Sequence, residues 1–113
     1  MYDKVKNIVD TNESVVALVA ASSMCQTCTD WIPSVLKAVC AEFDVSVNII
    51  YVDKEFVPLP PAHSPTTYFY VKGVKDPMII LGPEPEEQIK LRLNMCFEEL
   101  ERLKDGNLQT SGI

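Results

Sequence analysis

The sequence is short of positive charge, has only four glycines and a single histidine, and holds no apolar run near the roughly 20 residues that a membrane-spanning helix needs. Ten Lys and Arg stand against sixteen Asp and Glu, a net charge of -6 with a pI near 4.6. Such a surface repels polyphosphate and anionic lipid, which argues against nucleic acid or a membrane as partner. The opening Met1-Tyr2-Asp3-Lys4-Val5-Lys6 has no basic segment leading into an apolar one, so the expectation is a soluble, unexported, cytoplasmic protein. The four cysteines, Cys25, Cys28, Cys40 and Cys96, are too few and too unevenly spaced for the disulfide framework of a small secreted domain. What is present is 113 residues with 47% hydrophobic and 23% charged side chains. That is enough for one core and marginal for two. A single domain over 1–104 is expected, followed by a flexible tail over 105–113.

Val5, Ile8 and Val9 recur at helical spacing and predict a short helix over 2–10. Val15-Val16-Ala17-Leu18-Val19-Ala20 is a continuous apolar run, as in a strand buried on both faces. From Gln26 to Glu42 the residues Trp31, Val35, Leu36, Val39 and Phe43 keep helical spacing around Pro33, which predicts a long, kinked helix. Val45 to Asp53 is β-prone and follows closely enough to close a right-handed β-α-β crossover with the first strand. Residues 54–65, with Pro58, Pro60, Pro61 and Pro65, read as a stiff loop. Thr66–Val71 and Asp76–Leu81 flank Lys72-Gly73-Val74-Lys75 and predict an antiparallel hairpin, with Pro77 placing the second strand near an edge. Glu86 to Lys104 carries Ile89, Leu93, Cys96, Phe97, Leu100 and Leu103 on one stripe and predicts a helix packed on the sheet.

This order puts Cys25-Gln26-Thr27-Cys28 where a buried strand turns into a helix. A thiol there faces unpaired backbone N–H groups and the positive end of the helix dipole, both of which favour thiolate. Cys25 should be the more acidic sulfur. One helical turn brings the two sulfurs together, so Cys28 could resolve a mixed disulfide formed at Cys25 and leave an intramolecular disulfide. The alternatives are a structural pair or half a zinc site. Zinc needs about four ligands, and Cys40, Cys96 and His63 form no second paired motif, so no metal is expected. Cys40 and Cys96 read as small buried hydrophobes. Trp31 reads as helix packing, and Tyr68, Phe69 and Tyr70 as sheet packing. His63, two residues before Pro65, reads as an exposed loop histidine, the alternative being a place near the sulfurs where a protonated imidazole would favour the thiolate.

With these residues in place, the chain resembles the thioredoxin superfamily over roughly residues 5 to 103. Pro33 falls five residues past Cys28, where thioredoxins carry their helix-kinking proline. Ser64-Pro65-Thr66 is similar to the family's cis-proline tripeptide, Tyr68 to Gly73 to its hairpin strand ending in glycine, and Gly82 to the glycine before its last helix. The resemblance implies an α/β thioredoxin fold, a central mixed four-stranded sheet flanked by helices with the Cys-x-x-Cys at a strand-to-helix junction. It also implies substrate contacts at Met24, Gln26, Thr27, Ser64, Pro65 and Thr66, by strand addition at the backbone of Ser64. Met24 stands where thioredoxins have Trp, and Val19 where they have a buried Asp that assists the resolving thiol. With neither the family's first β-strand nor a full helix before the cis-proline position, the chain looks closer to a minimal four-stranded, glutaredoxin-like core, though it lacks the glutaredoxin Gly-Gly pair.

The implied activity is that of a thiol-disulfide oxidoreductase, with Cys25 as nucleophile and Cys28 as resolving thiol. Its substrate would be a protein or small-molecule disulfide, and its electron donor a reductase or glutathione. It would need no cofactor and act as a monomer. Val19 and Met24 favour the alternative, a redox-inactive or redox-regulated binding module on the same fold.

Overall fold

The structure, a computed structural model, describes residues 14–22, 24–51, 65–74 and 76–112, with 104–112 as backbone. The helix predicted over 2–10, most of the proline-rich loop, His63 and Ser64 lie outside the described residues. In chain order the elements are β1 (Val15–Ala21), α1 (Gln26–Trp31), a π-helical stretch (Ile32–Leu36), α2 (Lys37–Glu42), β2 (Ser46–Tyr51), β3 (Thr66–Val71), β4 (Met78–Leu81) and α3 (Glu86–Gly112). The described strands form one mixed sheet in the order β2-β1-β3-β4. β1 runs parallel to β2 and antiparallel to β3, and β4 is antiparallel to β3.

β1 is central, and every one of its residues is buried. This is why its sequence is apolar without alternation: both faces are covered, so neither tolerates a polar side chain. Val15, Ala17, Val19 and Ala21 face a core shared with Trp31, Ile32, Leu36, Val39, Phe69, Ile89 and Leu93. Leu18 and Ala20 belong to a second cluster on the opposite face, with Ile50 and Tyr68. The alternation Tyr68, Phe69, Tyr70 on β3 follows the same division. Phe69 is fully buried on the helix side, while Tyr68 and Tyr70 stack on the other with ring centroids 6.4 Å apart.

The kink expected at Pro33 takes a specific form. Proline has no N–H to donate and its ring would meet the carbonyl four residues back, here that of Thr29. The helix widens instead of breaking, and the Lys37 N–H donates to the Ile32 carbonyl, five residues back. α3 buries Ile89, Leu93, Cys96 and Leu100 of the stripe predicted from its periodicity, and leaves its Phe97 and Leu103 half-buried. Phe97 stacks on Phe43 at 6.1 Å, and Lys90 pairs with Glu86 at 3.2 Å and Glu42 at 3.7 Å, tying α3 to α2 at the surface.

Three boundaries differ from expectation. β4 begins at Met78 and not at Asp76, because Pro77 cannot donate to the ladder. β2 spans Ser46–Tyr51 against a predicted 45–53, with residues 52 and 53 outside the described range. α3 continues to Gly112, past the Lys104 at which its apolar stripe ends. Helical hydrogen bonds are local, so the backbone can propagate beyond the last packed turn where no periodic apolar signal marks it.

Candidate functional site

β1 hands the chain to a tight turn in which the Cys25 N–H donates to the Ser22 carbonyl at 3.1 Å and the Met24 N–H to Ser22 Oγ at 3.2 Å. Cys25 then caps the helix. Its backbone is extended (φ -85°, ψ 105°), its carbonyl accepts from the Thr29 N–H at 3.2 Å and from Thr29 Oγ1 at 3.1 Å, and its Sγ accepts from the Cys28 N–H at 3.1 Å. A sulfur in the position usually held by a Ser or Asp oxygen thus satisfies one of the orphan donors of the first turn. The same donor would stabilise negative charge on that sulfur once the bond to its partner is opened.

Cys25 and Cys28 are joined in a disulfide, with their Cα atoms 5.3 Å apart. Cys25 is half-buried, whereas Cys28 is 2% exposed and sits in the helix-side core. The two sulfurs therefore differ in access, the first reachable from solvent and the second facing inward. Around Cys25, Met24 is 89% exposed and Gln26 and Thr27 are exposed as well, with Gln26 Nε2 donating to Asp30 Oδ1 at 3.3 Å.

Pro65 and Thr66 are brought to the same end of the sheet as the cysteine turn. Thr66 is the register partner of Ala20 on β1 and of Leu81 on β4. The Gly82 N–H donates to the Pro65 carbonyl at 2.8 Å, and Gly82 reaches it at φ +79°, a conformation that favours glycine. From the other side Trp31 Nε1 donates to the Glu84 carbonyl at 2.7 Å, fastening α1 to the segment between β4 and α3. Both Pro65 and Thr66 are buried. Ser64 lies outside the described residues.

Cys40 and Cys96 stand apart from the pair, as free, buried thiols. Desolvation pushes Cys40 up to about 12 and Cys96 up to about 11. Among the described residues no three His, Cys, Asp or Glu side chains gather where they could hold a metal ion, and no helix is long and apolar enough to cross a membrane.

Sequence reasoning missed two features here. One is the Trp31 to Glu84 link, which joins residues 53 apart in the chain. The other is a cavity of about 220 Å³ beside Cys28, whose walls include Lys37 on α2 and Ile49 and Tyr51 on β2. No local pattern announces either, because both depend on how the crossover lays α1 and α2 against the sheet.

Comparison with protein-family models finds no match, and neither does comparison with curated proteins. Among solved structures the chain is similar to chloroplastic thioredoxin z, with a TM-score of 0.69 and 19% identity over 85% of this chain and 89% of that one. At that identity the likeness is one of fold. The sheet order, the helical core and the Cys25/Cys28 disulfide at the β1-to-α1 junction make this chain a thioredoxin-fold protein with a Cys-x-x-Cys pair.

Proposed function

We propose that the protein is a thiol-disulfide oxidoreductase working through the Cys25/Cys28 couple. The observation that carries this reading is the asymmetry of the pair. Cys25, half-buried at the helix start, accepts the Cys28 N–H on its sulfur at 3.1 Å, while Cys28 is 2% exposed. In the reduced protein the Cys25 thiolate attacks one sulfur of a substrate disulfide, forming a mixed disulfide and releasing the other half as a thiolate. Cys28 then loses its proton and attacks Cys25 Sγ. The intramolecular disulfide forms, the bond to the substrate sulfur breaks, and the second thiolate leaves. Two electrons pass from the dithiol to the substrate, and no metal or organic cofactor takes part.

The exposed Met24, Gln26 and Thr27 flank the attacking sulfur, and with Ser64, Pro65 and Thr66 they are the proposed substrate contacts. The reading includes a protein or small-molecule disulfide as substrate, a reductase or glutathione as donor, a monomeric state and a cytoplasmic site of action. The solved structure it is similar to is chloroplastic, so fractionation in the native cell is the test of compartment. A second reading, a binding module without redox turnover, draws support from Val19, fully buried beneath the site with no carboxylate to offer, and from Met24 in the place of an aromatic platform.

Trapping separates the two. With Cys40→Ala and Cys96→Ala as background, Cys28→Ser should accumulate a mixed disulfide between Cys25 and a protein disulfide, seen by mass, and the parent should not. The parent pair should also titrate reversibly against glutathione between about -270 and -120 mV, the span of working oxidoreductases. Full turnover by Cys28→Ser would rule out the dithiol route, and a pair that never titrates would leave the binding module.

A further inference from the structure

Resolution by Cys28 calls for a thiolate inside an apolar core. Cys28 is 2% exposed and shares its apolar cluster with Cys40 and Cys96. Those two thiols are pushed to about 12 and about 11 by desolvation alone. A thiol held the same way would be a poor nucleophile at neutral pH. Beneath it β1 presents only Val19 and Ala21, both fully buried, so no acid or base stands on that strand to take the proton.

Cys28 lines a cavity of about 220 Å³ between the helical stretch and β2, and unlike the cavity of about 330 Å³ beside Cys96, where Arg102 stands among Asp76, Glu98 and Glu99, its lining holds no carboxylate among the described residues. Ile32 and Ile49 form apolar walls, and Pro33, Lys37 and Tyr51, all exposed, stand at its mouth. Among the described residues Lys37 is the only charged side chain in this lining, and Tyr51 the only other titratable one besides Cys28. The placement of Lys37 follows from the widened turn. It lies nine residues past Cys28, which in an unbroken α-helix of 3.6 residues per turn would put it about 180° round the axis. The π turn that Pro33 opens takes up one residue, which leaves position 37 only about 80° away and on the side of the cavity.

We infer that Lys37 is a positioning cation for the resolving thiol: its positive charge, brought to the same cavity by the π turn, favours the Cys28 thiolate, and the solvent-open cavity receives the proton. This rests on the dithiol reading above. In balance, the Cys28 S–H gives its proton to cavity water, and its electron pair forms the bond to Cys25 Sγ. The bond from Cys25 to the partner sulfur breaks, and the departing thiolate takes a proton from solvent.

The test is stopped-flow reduction of dithionitrobenzoate by the full chain in the Cys40→Ala/Cys96→Ala background. Attack by Cys25 releases one thionitrobenzoate in a first phase, and resolution by Cys28 releases the second. Lys37→Gln should slow the second phase about threefold to tenfold near pH 7 and move its pH midpoint upward, with the first phase unchanged. Lys37→Arg, which keeps the charge, should keep the parent rate and pH midpoint, whereas Lys37→Met, which keeps an unbranched stem without the charge, should behave as Lys37→Gln; a parent-like Lys37→Met would overturn the inference. A second phase in Lys37→Gln equal to the parent between about pH 6 and 9, or an equal slowing of both phases, would overturn the inference. A parent with no second phase at all would instead sink the dithiol reading, a separate failure that Lys37 cannot cause.

Discussion

Two pairs of cysteines in one small core stand in different states, one pair bonded and the other free. Cys25 and Cys28 lie at the end of the sheet, joined to each other, with a backbone N–H on the first sulfur and a cavity beside the second. Cys40 and Cys96 lie on the inner faces of α2 and α3, 0% and 1% exposed and free, within the shared apolar core, although Cys96 also borders a cavity of about 330 Å³ whose lining includes Glu99 and Arg102. The residue type is the same in all four positions. What differs is the place in the fold: the first pair sits at the strand-to-helix junction, where a backbone N–H meets the Cys25 sulfur and the two sulfurs meet each other, and the second pair does not.

The sharpest way to break this comparison is one substitution made in both places. Cys25→Ser should reduce disulfide exchange to the uncatalysed background, because a serine hydroxyl at neutral pH is no substitute for a thiolate nucleophile. The stability of the reduced protein should hardly move, since a serine oxygen can accept the same Cys28 N–H. Cys40→Ser should do the reverse. It places a hydroxyl in a site that is 0% exposed and lined by apolar groups, at a cost of about 1–3 kcal/mol, with exchange activity unchanged at equal folded fraction. Denaturant titration under reducing conditions and an insulin-type disulfide assay read both. Loss of activity in well-folded Cys40→Ser would mean that the core thiols are part of the redox machinery after all.

A smaller effect sharpens the same contrast through pH. Burial raises Cys40 from an ordinary 9.0 to about 12 and Cys96 to about 11. Above pH 9 the unfolded chain can release these protons while the folded chain holds them, so the unfolded state is favoured. The contribution to stability is complete below about pH 9 and is lost as pH rises toward the folded values, by about 1.4 kcal/mol per unit for each thiol. Tyr68 and Tyr70, also raised by burial from 10.0, act in the same direction at higher pH. Urea titrations of the reduced protein should therefore show stability falling between about pH 9 and 10, and Cys40→Ala/Cys96→Ala should flatten that interval. An unchanged slope in the double variant would mean that those thiols are not desolvated as the fold requires.

How far all this was legible in the sequence depended on whether the signal was local. The apolar run of β1, the helical spacing of α3 and the Gly73 turn each act through neighbours in the chain, and each was readable. The strand-to-helix setting of Cys25 followed from them, as did the burial of Cys40, Cys96 and Trp31. Pro33 announced a kink, but whether the helix would break, bend or widen depends on the packing of Ile32 and Leu36 against the sheet. The bearing of Lys37 on Cys28 was hidden for the same reason, since without the π turn its spacing points the wrong way. The hydrogen bond from Trp31 to Glu84 needs the whole chain folded before its partners meet.

The smallest expected effect lies between the two regions, at Thr67. It occupies the row Val19, Thr67, Ile80 across the sheet, fully buried, and its Oγ1 has no hydrogen-bond partner. Threonine earns its place on a strand by its branched shape, which valine shares, so the hydroxyl is the only part of the side chain that the site does not accommodate. A buried hydroxyl without a partner keeps the cost of leaving water and returns nothing. Thr67→Val should therefore raise stability by about 1 kcal/mol in urea titration, with the rate of disulfide exchange unchanged. The residue lies on the same face as the core around Cys28 and Cys96, so the sign is informative. A loss of about 1 kcal/mol or more would show that the oxygen is satisfied when the protein is in solution, and that the core beneath the cysteine pair is wetter than the apolar row around Thr67 implies.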